Sequence, residues 1–174
     1  MKPPAGWEGI LDEGEKILWQ GRPDGRLSLH PHNWPAFIFG LFFAGFALLW
    51  MILAAAAGGV MWMFGLIHFS VGIGVGLGPN IWSAWRRRHA WYTLTNRRAF
   101  IATDTPLAGR RLATYPITAD TRLALSDKAP ATLSFASRTR RGKNGSYEVP
   151  IGFERIYDAP EVYALMRNIQ RGET

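Results

Sequence analysis

From Trp34 to Trp85 the chain runs 52 residues without an Asp, Glu, Lys or Arg. No other feature limits the fold as much. A hydrocarbon core of roughly 30 Å needs about 20 helical residues at 1.5 Å each. The stretches Ala36 to Ala57 and Val60 to Trp82 both meet that length, and Gly58-Gly59 between them is a turn signal. Two spans joined by so short a link run antiparallel, so the block reads as a helical hairpin in a bilayer.

The mean hydropathy of −0.04 hides this block because charged segments flank it. Residues 1–33 carry a net charge of −1 and residues 86–174 a net charge of +8. Arg22 and Arg26 precede the first span, Arg86, Arg87 and Arg88 follow the second, and the turn is uncharged, so the positive-inside rule places both termini in the cytoplasm. Trp34, Trp82 and Trp85 fall where an aromatic belt at that interface would lie, and Trp62 near the opposite one. The first 33 residues hold five acidic groups and no apolar core, which argues against a cleavable signal peptide. With no cysteine, disulfides, thiolate metal sites and cysteine nucleophiles are excluded.

Within the second span, Gly72 with Gly76 and Gly74 with Gly78 form two overlapping small-xxx-small patterns that allow close helix approach. Packing against the first span of the same chain is the favoured reading, and a contact between copies in a homo-oligomer the other. His68 is the one ionisable side chain in the spans. With no acidic partner there, a neutral imidazole bonded to a neighbouring carbonyl is a better reading than a proton relay.

After His89 the pattern changes to short alternating runs separated by turns, the mark of a β-rich domain. Tyr92 and Leu94 share a face of one strand, Thr95-Asn96-Arg97 turns into Arg98 to Thr103, and Pro106 to Gly109 is a loop. Further strands are expected over Arg111 to Ile117, around Leu123 and Leu125, and around Leu133 and Phe135. Asn144-Gly145 marks a hairpin, and Tyr147, Val149, Ile151 and Phe153 alternate on the half-buried strand that follows, where Pro150 favours an edge or a bulge. Asp158, Pro160 and Glu161 mark the start of a helix about 159–170, with Asp158 as its cap, and Val162, Leu165, Met166 and Ile169 form its apolar stripe. Six strands and one amphipathic helix give two packed sheets or a partly open barrel capped by a C-terminal helix.

The string Gly14 to Pro23 (GEKILWQGRP), two spans, then Trp91 to Arg98 (WYTLTNRR) resembles bacterial membrane proteins with a pleckstrin-homology-like (bPH) domain. Ile151-Gly152-Phe153 through Val162-Tyr163 is similar too. The resemblance implies a membrane α-helical hairpin plus a small β-rich PH-like domain, with no cofactor and no catalytic residues to carry over. It also implies a multi-pass protein of the bacterial inner membrane. The phosphoinositide motif of the eukaryotic lipid-binding domains is not found in this chain.

The basic run Arg138, Arg140, Arg141 and Lys143 is the strongest candidate contact for lipid headgroups or a protein partner, at up to about 1 kcal/mol per cation near an anionic leaflet. Its simpler reading is a solvated hairpin tip. Arg86, Arg87 and Arg88 are read as topology and membrane-surface residues. His30 and His32 lack the carboxylate or cysteine neighbours that would complete a metal site. No catalytic triad motif, nucleophile elbow or phosphate loop occurs. The expected function is a non-enzymatic, membrane-anchored binding or scaffold module. The residues 1–33 segment, with Ile17, Leu18 and Trp19, is expected to pack on the β domain. The alternative is a small membrane enzyme or an accessory subunit of a membrane enzyme or transport complex. Nucleic-acid binding rests on charge alone.

Overall fold

The computed structural model describes residues 6–28, 33–106, 108–142 and 145–173. The chain divides into two compact units, and one of them is discontinuous: residues 1–24 join residues 86–174, while residues 25–85 form the other. The hairpin is therefore an insertion within a β domain rather than a segment preceding one.

The strand that makes the domain discontinuous is β1, Ile17–Gly21. It pairs antiparallel with β2, Ala90–Thr95, and β3, Arg98–Thr105, and β4, Gly109–Pro116, complete a four-stranded sheet in the order β1-β2-β3-β4. A second sheet has the order β5-β6-β7, from Ala124–Leu125, Ala131–Gly142 and Gly145–Ile156. β6 and β7 are twelve residues each, longer than the alternation alone suggests. Only their inner halves alternate into the core, whereas Arg138–Gly142 and Gly145–Glu148 are exposed on both faces and keep their strand form by pairing with each other. Among the described residues β7 has a neighbour on one side only, so Pro150 sits on an edge strand, where its missing N–H is tolerated.

Between the sheets lies the core of Tyr92, Leu94, Leu133, Phe135, Phe153 and Ile156, with Leu94, Leu133 and Phe153 wholly inaccessible. Burying each such side chain contributes about 1.5–3 kcal/mol. Helix α3, Ala159–Arg171, adds Val162, Met166 and Ile169 from its apolar stripe. Its start departs from expectation. Asp158 occupies the cap position, yet its side chain makes no cap hydrogen bond. Its carboxylate instead accepts from Trp19 Nε1 at 3.3 Å, a partner 139 residues away that helix-start rules cannot see. The helix ends on Gly172 in the left-handed region, φ 73°.

The four-stranded sheet is covered on its far side by the segment before β1. Trp7 meets Phe100 edge-on at 5.1 Å, so Phe100 and its neighbour Ile101 are both sheltered although they face opposite ways. Trp19 lies 5.4 Å from Phe153 and packs against the core from β1.

The inserted unit holds α1, Trp34–Ala56, and much of α2, Met63–Arg88, two helices long and apolar enough to cross a membrane. Their large apolar side chains point outward, with Phe42 77% and Ile67 65% exposed, which distinguishes them from the core helices of a soluble protein. Gly58 and Gly59 both take positive φ, 85° and 86°, a turn conformation that L side chains rarely adopt. α2 starts three residues later than expected and continues through Arg86, Arg87 and Arg88, whose charge suits a helix C-terminus.

The two glycine pairs separate cleanly. A Cβ on Gly40 would stand 2.5 Å from Gly72 O and Gly76 N, and one on Gly72 would stand 2.7 Å from Ala44 N, so Gly72 and Gly76 pack against α1 of the same chain. Among the described residues, nothing lies within 4 Å of a Cβ at positions 74 and 78, which face away. Asn33 Nδ2 also donates to buried Asn80 Oδ1 at 3.1 Å.

Candidate functional site

Two features of the β domain bear on function, a polar joint that fixes the N-terminal segment and a basic cleft. In the joint, the Glu15 side chain is fully inaccessible. Its carboxylate accepts from Thr95 Oγ1 at 2.6 Å, from Arg98 Nη2 at 2.7 Å and Nε at 3.0 Å, and from the Asp12 N–H at 2.9 Å. Burial alone would push this carboxyl up, but the hydrogen bonds from Arg98, Thr95 and Asp12 outweigh it and hold the pKa at about 2. Arg98, which also pairs with Asp12 and lies over Phe100, is raised by its bonds to Glu15.

A second set of contacts fixes the other end of the segment. Asp24 pairs with Arg155 at 2.9 Å, and Arg87 Nε donates to the Asp24 carbonyl at 2.9 Å. Arg87 is only 2% exposed, and burial lowers its pKa against the neighbouring charges of Glu154 and Asp24. It is thus a domain residue rather than a surface cation, unlike exposed Arg86 and Arg88.

The cleft, about 250 Å³, opens between the four-stranded sheet and the β6–β7 hairpin. Its apolar walls include Ile101, Tyr115, Val149 and Ile151, and its polar lining includes Tyr92, Thr103 and four arginines, Arg86, Arg87, Arg138 and Arg140. Because Arg138 and Arg140 are two apart on β6, they share one face, opposite Val149 and Tyr147 on β7. Arg86 pairs with Glu154 at 3.2 Å, whereas Arg138 and Arg140 form no ion pair with any described residue. Tyr92 is buried, its hydroxyl accepts from the Glu154 N–H at 3.2 Å, and burial raises its pKa.

The sequence candidates are therefore divided by the fold. Arg138 and Arg140 meet Arg86 and Arg87 across one cleft, although the two groups are some fifty residues apart. Arg141, opposite Ser146, lies on the other face of the hairpin and does not line the cleft. Lys143, Asn144, His30 and His32 lie outside the described residues. Tyr92, Thr103 and Glu154 carry no motif, and only the inward position of Tyr92 in its strand hinted at a place near the core. Among the described residues no three His, Asp or Glu side chains are grouped for a metal ion.

No family model, curated protein or solved structure matches this chain in the comparisons made with each.

Proposed function

We propose that this protein is a membrane-anchored binding module of the bacterial PH-like type, whose arginine cleft meets anionic lipid headgroups at the cytoplasmic face of the inner membrane. Support for the PH-like reading comes from four strands, then three, then a closing helix, in that chain order. The observation that carries the ligand reading is the cleft in which Arg138 and Arg140, with no ion pair to any described residue, stand beside Arg86 and Arg87. Guanidinium groups suit phosphate oxygens in geometry and charge. Arg86 directly follows Trp85 at the end of the apolar block, which supports a surface near the headgroups. Because β1 and β2 share a sheet, the chain on both sides of the hairpin lies on one side of any membrane the hairpin crosses.

The test uses residues 6–24 joined to 86–173 by a short Gly/Ser linker in place of the hairpin, a splice made reasonable by the Arg87–Asp24 contact. Flotation with vesicles of phosphatidylglycerol and phosphatidylcholine should show binding that rises with the anionic fraction and falls with salt. Arg138→Ser with Arg140→Ser should remove most of it. Equal flotation of that double variant would refute the reading.

A further inference from the structure

A second concavity lies wholly within the hairpin, toward its turn. Where α1 and α2 cross at Gly40, Gly72 and Gly76 the backbones touch. Nearer the turn the facing positions are Phe43, Phe46 and Trp50 on α1 and Phe64, Gly65 and His68 on α2, and between them is a groove of about 350 Å³. Aromatic walls with one ionisable side chain among them suit a small-molecule site between helices.

The tautomer of His68 determines what that side chain can do. Its Nδ1 lies 3.2 Å from the Phe64 carbonyl oxygen. A carbonyl oxygen only accepts, so Nδ1 carries the proton and donates, which leaves Nε2 as a lone-pair acceptor. No described residue donates to Nε2. An acceptor without a donor in hydrocarbon is costly.

We propose that this groove binds a neutral, membrane-soluble aromatic alcohol of the quinol type, with its hydroxyl donating to His68 Nε2 and its ring among Phe43, Phe46, Trp50 and Phe64. Neutrality follows from the absence of any Asp, Glu, Lys or Arg between residues 34 and 85 to balance a charge. The preference for a ring follows from the four aromatic side chains that line the groove. The preference for a donor follows from the tautomer, and it separates two molecules of nearly one shape: a quinol donates, whereas the quinone it would oxidise to only accepts. No electron transfer is part of the proposal.

The experiment uses the full chain, labelled with ¹⁵N-histidine, in micelles under anaerobic conditions. With four histidines in the sequence, the His68 resonances are assigned by their loss in His68→Leu. Decylubiquinol should shift the unprotonated Nε2 resonance, and decylubiquinone and dodecanol should not. Quinol retained through gel filtration should fall about tenfold in His68→Leu, the loss of one good hydrogen bond, and return in His68→Gln, whose amide oxygen accepts. Equal shifts from quinol and quinone would overturn the donor argument, and an equal shift from dodecanol would overturn the ring argument. Absence of any shift with quinol, as when water already serves Nε2, would overturn the site. The chain has no native cysteine, so a disulfide-linked dimer of Phe46→Cys in native membranes, unchanged by quinol, would give the groove to a second copy and also end the proposal.

Discussion

Glu15 and Arg98 are 83 residues apart in the chain and 2.7 Å apart in space, with the whole apolar helical hairpin between them in sequence. The contact holds the segment before the hairpin on the sheet after it. It makes the domain that follows the hairpin dependent on residues that precede it.

That pair sets an acid sensitivity. Glu15 titrates at about 2 in the folded protein against an ordinary 4.5, so its folded pKa is depressed. The stabilisation is therefore fully present above about pH 5 and is lost as pH falls toward 2, a contribution of the order of 3 kcal/mol. Urea melts of the spliced β domain should lose that stability over this window, and Glu15→Gln should be less stable at pH 7 and flatter between pH 5 and 2. An unchanged pH profile in Glu15→Gln would count against the assignment.

β1 makes a second expectation concrete. Residues 86–174 alone lack the strand that pairs with β2 and the Trp19 ring that covers Phe153. Their near-ultraviolet circular dichroism should show little fixed aromatic packing. Adding residues 6–24 through a linker should restore it together with a cooperative melt. Equal stability of both forms would show that the segment is dispensable.

The glycines of α2 predict opposite outcomes two residues apart. Gly72→Val places methyl groups against the Ala44 backbone and should open the helix crossing, which a full-length melt in micelles would read as a loss of about 2 kcal/mol or more. Gly74→Val meets open space within the chain and should leave that melt nearly unchanged. A large loss at position 74 would point to a contact with another copy.

Arginines on opposite faces of the β6–β7 hairpin should also separate. Arg140→Ser removes a cation from the cleft and should weaken vesicle binding more than Arg141→Ser, which removes an equal charge outside it. If binding depends on total charge alone, the two variants will float alike and the cleft will have no special role.

Much of this fold can be read locally. The uncharged block, the Gly58-Gly59 turn, the alternation in β7 and the stripe Val162, Met166, Ile169 each report their structure through spacings of a few residues, because helix and strand periodicity act at that range. Arg138 and Arg140 could likewise be chosen as candidates from sequence. What the amino-acid order could not supply was their company. Arg86 and Arg87 join them only because β2 and β6 belong to sheets that pack face to face. Asp158 is drawn from its expected cap to Trp19 by the same long-range packing.

The sequence by itself determined that two apolar helices precede most of a basic, strand-rich domain, since hydrophobic length and charge are properties of composition along the chain. The tertiary structure decided that the domain begins before those helices. Ile17–Gly21 is too short and too little patterned to declare itself a strand. It becomes one because β2 supplies hydrogen-bond partners and the core receives Leu18 and Trp19, terms that exist only once residues more than seventy positions apart have met.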